Sequence, residues 1–117
     1  DGDVRPGTHI NAVGAYTSEM QEIPAETVLR AKVVVDQREA SLAEAGDLII
    51  PIEQGLMTGE QIHAELGEIA AGEKAGRTSA EEVTLFKSVG VAVQDAAVAG
   101  AVLAEARRLD LGSEVEL

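Results

Sequence analysis

A chain of 117 residues has room for one domain with a modest core, and its 21 acidic against 9 basic residues set a net charge of -12 that repels nucleic-acid phosphates and anionic lipid. The lack of cysteine excludes disulfides and thiolate metal sites. No apolar run approaches the roughly 20 residues that cross a bilayer and no basic-then-apolar leader stands at Asp1, so the expectation is a soluble, cytoplasmic protein with neither nucleic acid nor membrane as partner. Only Lys32, Lys74 and Lys87 are lysines; an acidic, lysine-poor surface fits either a high-salt cytoplasm that screens self-repulsion or the codon bias of a GC-rich genome.

Thr8 to Val13 is β-rich and bounded by Gly7 and Gly14, as a buried strand should be. A polar connection from Tyr16 to Ile23 follows. Pro24 stands where a first-turn proline belongs, Glu26 suits a helix amino end and Val28-Leu29 supply an apolar face, which predicts a short helix over 25–31. Lys32 to Asp36 carries three consecutive valines without alternation, the pattern of a parallel strand covered on both faces. Arg38 to Ala45 is a helix window closed by Gly46, and Asp47 to Ile52 is an apolar stretch interrupted by Pro51 and Gly55, a loop or brief helix. Gln61 to Ala71 has a helical rhythm through Ile62, Leu66, Ile69 and Ala70 and ends at Gly72. Glu73 to Thr78 is a charged turn, and Ser79 to Glu82 imitates a capping box but precedes a β-rich run, so it too is expected to be a turn. Val83 to Lys87 is the third strand. From Ser88 onward Val89, Ala92, Val93, Ala96, Gly100, Leu103 and Ala106 sustain a helix of about twenty residues, whose small side chains suit a close helix contact rather than a cofactor box; the acidic tail 111–117 is expected to fray.

This alternation predicts an α/β fold, a partial Rossmann-like domain of about three parallel strands with flanking helices and a long C-terminal helix. Such sheets bind cofactors beyond the carboxyl ends of their strands. None of the twelve glycines is separated from another by a single residue, so the Gly-x-Gly loop that cradles a pyrophosphate is missing. A half-sheet also leaves an edge and apolar surface uncovered, which implies self-association or a complementary chain.

Five stretches, Pro6-Gly-Thr-His-Ile-Asn-Ala-Val-Gly14, Val33-Val-Val-Asp36, Glu39-Ala with Glu44-Ala-Gly-Asp47, Ile62-His-Ala-Glu-Leu-Gly-Glu68 and Thr84-Leu-Phe-Lys-Ser-Val-Gly-Val-Ala-Val-Gln-Asp95, occur in an order and spacing that resembles the ornithine cyclodeaminase/mu-crystallin family of NAD(P)-dependent proteins. The resemblance covers almost the whole chain but only the later part of a full-length member. It implies that residues 1–87 are the second half of a dinucleotide-binding domain, and that 88–117 form a helix and tail packing on or linking to a substrate or dimerisation domain. It also implies NAD or NADP as cofactor and a small amino-acid or imine substrate in the intact protein.

In that family the turn after the first strand lies against the nicotinamide, which implies Val13, Gly14 and Ala15 as cofactor contacts. The strand-to-helix junction lies at nicotinamide and substrate, which implies Ser88 for the cofactor and Val89 for the substrate; Glu44 falls in a stretch near the ligand pocket. Cyclodeaminases carry an acidic general acid/base at the position of Tyr16, followed by a Pro-Gly-Lys run where this chain has Ser18-Glu19-Met20. A phenol ionises only around pH 10 and does not replace a carboxylate as an ionised base. The resemblance therefore leans toward the alanine dehydrogenase, imine reductase and mu-crystallin-like branches, with Tyr16 a weak catalytic candidate or a lid residue and the 117-residue chain inactive alone.

The remaining polar residues have plainer readings. His9 is expected to be a packed or hydrogen-bonded structural histidine of the strand, and His63 with Glu65 and Glu68 lacks the spacing of a zinc motif, so no metal is expected. Asp36 is expected to cap or brace, and Lys87 to be solvated or in a structural salt bridge. The readings from other classes are a non-catalytic binding or assembly module and a truncated relic; the substrate, the choice between NAD and NADP, and the oligomeric state lie outside what the sequence decides.

Overall fold

The structure, a computed structural model, describes residues 1–115. Four parallel strands, β1 (His9–Ala12), β2 (Lys32–Val35), β3 (Ile62–Glu65) and β4 (Thr84–Lys87), form one sheet in the order β1-β4-β2-β3. The last strand in sequence therefore lies between the first two, with Ala12 and Val35 both opposite Lys87. Between the strands run α1 (Ala25–Arg30), α2 (Arg38–Glu44), α3 (Gly46–Glu53) and α4 (Leu66–Ala70), and α5 (Ala92–Leu109) follows β4.

Strand parity sorts the side chains. Ala12, Val33, Val35 and Leu85 face one side and pack with Val28 of α1, Ala45, Leu48 of α3, Met57 and Ile62 into the core. His9, Asn11, Val34 and Phe86 face the other side, where with Leu66 and Ile69 of α4 they line an open groove of about 490 Å³. A right-handed crossover requires this division: the chain advances from β1 to β2 to β3 over the core face and returns from β3 to β4 over the other. The valine strand is thus sealed on one side only, with Val34 left half-buried.

Three expectations need correction and one open reading is decided. The sheet has four strands, not three, because Ile62 to Glu65 is a strand; its residues alternate buried and half-buried, a period of two that satisfies the otherwise unpaired edge of β2. The helix expected over 61–71 shrinks to Leu66–Ala70, started by a reciprocal cap in which the Glu68 carboxylate accepts the Glu65 amide at 2.8 Å. Of the two readings open for the apolar stretch after Gly46, a loop or a brief helix, the helix is realised, with Pro51 inside it. The last helix begins at Ala92, not Ser88, because Gly90 takes a φ of +85° and breaks the turn. Except for half-buried Ala106, every residue of α5 is exposed, Val98, Val102 and Leu103 among them.

Gly46 does not close α2 in a left-handed turn. It opens α3, where its amide donates to the Thr17 carbonyl at 3.1 Å. A Cβ here would overlap the Met20 carbonyl and stand 2.7 Å from that of Ser18. Gly46→Ala is accordingly expected to push away the 17–20 segment and lower stability by about 1–3 kcal/mol, read as a fall in the urea midpoint; an unchanged midpoint would show that the segment is not held against α3.

Candidate active site

The carboxyl ends of β1, β4 and β2 converge. The turn after β1 and the junction after β4 lie side by side, since the Ser88 amide donates to the Ala12 carbonyl at 3.0 Å. Val13 projects into solvent at 65% exposure, Gly14 is exposed and the Ala15 side chain is buried. Val89 packs partly against the core. Tyr16 is 60% exposed, and Glu44 is exposed at the end of α2, two residues before the glycine that grips the 17–20 segment.

Three carboxylates shape these turns by occupying backbone donors. Asp36, the residue after β2, reaches across to the junction: its Oδ2 accepts from the Ser88 hydroxyl (2.7 Å) and the amides of Val89 (3.0 Å) and Gly90 (2.9 Å). Its Oδ1 accepts from the Gln37 amide at 2.8 Å and the Ser41 hydroxyl at 3.2 Å. Burial alone would raise the Asp36 pKa, but the Ser88 hydroxyl and the amides of Gln37, Gly90 and Val89 outweigh it and hold the carboxyl below its ordinary value. The bracing role expected of Asp36 is what the geometry shows, and Ser88 spends its hydroxyl proton on this carboxylate.

Glu22 does the same for the first turn. Its Oε1 accepts from the amides of Gly14 (2.7 Å) and Ala15 (3.1 Å). Burial opposes ionisation, yet these amides and the Lys87 ammonium keep the Glu22 pKa lowered. Fully buried Asp47 in turn holds the loop through Oδ1, which accepts from the Glu22 and Ile23 amides, both at 2.8 Å.

Beneath both turns lies Lys87, completely buried. Its Nζ donates to the Ala15 carbonyl at 2.5 Å and to Glu22 Oε1 at 3.1 Å. It also stands 3.0 Å from Asp47 Oδ2, which has no aligned hydrogen bond and is held by charge. Of the two roles expected for Lys87 the structural salt bridge is realised and the solvated one is not. Glu22 and Asp47 have no sequence signature; the available signal is the parity of Val83, Leu85 and Lys87, which puts a charged end on the core face.

The other singled-out residues lie elsewhere. His9 bonds Thr84 Oγ1 at 2.7 Å and Asn11 Oδ1 at 3.2 Å on the open face, and His63 Nε2 donates to the Ala75 carbonyl at 2.8 Å. Glu65 accepts the Arg38 amide at 2.7 Å. Ser79 to Glu82 is a turn, with the Glu82 amide donating to the Ser79 hydroxyl at 3.2 Å.

A four-stranded parallel sheet with helices on both faces and its carboxyl-end turns braced by carboxylates is Rossmann-like in architecture. The profile of the ornithine cyclodeaminase/mu-crystallin family matches residues 1–109, and the chain belongs to that family. It is 50% identical over 114 residues to a Delta(1)-pyrroline-2-carboxylate reductase of Bacillus cereus and 42% identical over 113 residues to an alanine dehydrogenase of Archaeoglobus fulgidus. Each match covers 97% of this chain and 35% of the relative, so the chain spans about a third of their length. Among solved structures, Delta(1)-pyrroline-2-carboxylate reductase of Thermococcus litoralis in complex with NADH and L-proline superposes with a TM-score of 0.88 at 46% identity, over 97% of this chain and 35% of that one.

Because Asp36 is ionised at a lowered pKa, its contribution to stability is fully present above the ordinary aspartate value of about 3.9 and is lost as the pH falls through the lower folded value. Asp36→Asn places an amide NH2 or a weaker acceptor against three donors. The variant is expected to lose about 1.5–3 kcal/mol at neutral pH and to show a shallower decline in stability below about pH 4; parallel acid profiles would assign the acid sensitivity to other carboxylates.

Proposed function

We propose that this chain is the later, nicotinamide-side part of an NAD(P)-dependent oxidoreductase acting on a small amino acid or imine. Residues 1–87 are the second half of its dinucleotide-binding domain, and 88–117 the segment that joins a substrate or dimerisation domain. The observation that carries this reading is the adjacency of the two carboxyl-end turns, tied at Ser88 and Ala12, where open α/β sheets bind ligands. Val13, Gly14, Ala15 and Ser88 are the cofactor-side residues, and Val89 and Glu44 the substrate-side ones.

The local chemistry fits a nicotinamide ring and not a diphosphate. Exposed Val13 and Gly14 present apolar and side-chain-free surface, while the Gly14 and Ala15 amides are consumed by Glu22. The diphosphate has no glycine-rich helix start to receive it, and three carboxylates brace the turns. When bound, a nicotinamide cofactor would supply hydride, and Val13, Gly14, Ala15 and Ser88 are the residues that would hold and orient its ring. If Tyr16 occupies the position that the family resemblance gives to the cyclodeaminases' acidic base, it favours reduction of a carbon–nitrogen double bond over ammonia elimination. The pyrroline carboxylate reductase and alanine dehydrogenase among the relatives support the same class.

Without the pyrophosphate contacts, the isolated chain is expected to bind NADH or NADPH with a Kd no tighter than about 1 mM and to be inactive. Titration calorimetry checks this, and a micromolar Kd would overturn it. The exposed apolar residues of α5 and the open groove favour a second, compatible reading, assembly with another copy or a complementary chain. Light scattering should then find a species larger than 12.1 kDa; a strictly monomeric chain at high concentration would count against self-association.

A further inference from the structure

We propose that Lys87 is a positioning residue for the ligand-facing turn Val13–Ala15, acting through the Ala15 carbonyl and Glu22 without touching the ligand. This rests on the reading of that turn as the nicotinamide wall. An ammonium with no solvent exposure must have its charge met inside the protein. Here two N–H bonds of Lys87 go to the Ala15 carbonyl and Glu22 Oε1, while Asp47 Oδ2, 3.0 Å away without an aligned hydrogen bond, meets the charge; the ammonium is sealed from the surface where substrate or cofactor would lie. Glu22 Oε1 is shared: the same atom accepts from Lys87, Gly14 and Ala15. The Glu22 side chain is 34% exposed, so without the ammonium it has water as an alternative partner and the two turn amides lose their acceptor. Asp47 pins the far end of the same loop at residues 22 and 23, and Lys87 is its counter-charge. One buried cation thus fixes the loop at both ends, and the shape of the exposed turn depends on a side chain that never reaches the surface.

The test is an amide NMR titration of the chain with reduced nicotinamide mononucleotide, which needs no pyrophosphate site. Lys87→Met is expected to shift the Gly14 and Ala15 amide resonances of the unliganded chain and to weaken binding about tenfold, the equivalent of one lost hydrogen-bonded contact. Glu22→Gln, at a partly exposed position that leaves the Lys87–Asp47 pair intact, should move the same two resonances and weaken binding in the same direction, and so stands in if Lys87→Met does not fold. Val33→Ala, a core truncation away from the loop, should lower the melting temperature and leave both readouts unchanged, which separates positioning from stability. Binding and Gly14/Ala15 resonances that match wild type in Glu22→Gln and in folded Lys87→Met would overturn the proposal alone. A wild-type chain in which the nucleotide shifts nothing at residues 13–15 would overturn the nicotinamide reading and this proposal together.

Discussion

The insertion of β4 between β1 and β2 is the constraint on which the molecule turns. Opposite Lys87 stand Ala12 on one side and Val35 on the other, so all three strands end at one level. That alignment brings the Ser88 amide to the Ala12 carbonyl and puts Asp36 within reach of the residues after β4. Parity then directs Lys87 into the core side with Leu85, under the first turn. A register shift of one residue would exchange Lys87 for Phe86 or Ser88 and remove the counter-charge of Asp47.

The electrostatics of the two turns follow. Amides at the ends of parallel strands ordinarily attract anions. In this chain Gly14, Ala15, Val89 and Gly90 already donate to Glu22 or Asp36. The turns carry their own anions, so these amides are not free to receive a phosphate. Buried ion pairs contribute little net stability against an apolar alternative, but removing one partner is strongly destabilising. The Lys87 arrangement is therefore better understood as fixing geometry than as strengthening the core.

Much of the architecture was legible in the residues. The valine run, the Thr8 to Val13 segment and Val83 to Lys87 are strands within a residue or so of the expected ends, because apolar β-branched runs bounded by glycine or charge have few other uses. Ile62 to Glu65 was misread because four residues of alternation fit a helical rhythm equally well when Leu66 and Ile69 follow; only the unpaired edge of β2 decides the matter, and that is tertiary information. The start of α5 was misplaced because the apolar rhythm runs unbroken through Gly90, whose positive φ has no signature beyond the residue itself. The family resemblance pointed to Val13, Gly14, Ala15 and Ser88 as candidates, and the Ser88 amide lies beside the turn that holds the first three, on the Ala12 carbonyl. The braces were hidden: Glu22 meets Asp47 across 25 positions, and Lys87 meets Ala15 across 72, separations that no local pattern encodes.

The same long separations shape how the chain folds. Among the described residues β1 pairs only with β4, and its first rung joins residues 75 positions apart, whereas β2 and β3 are linked through two intervening helices that pack on each other and on the strand. Closing the larger loop costs more chain entropy before any contact rewards it. The β2–β3 half should order first and the β1–β4 seam last, so the two carboxyl-end turns come side by side only late in folding.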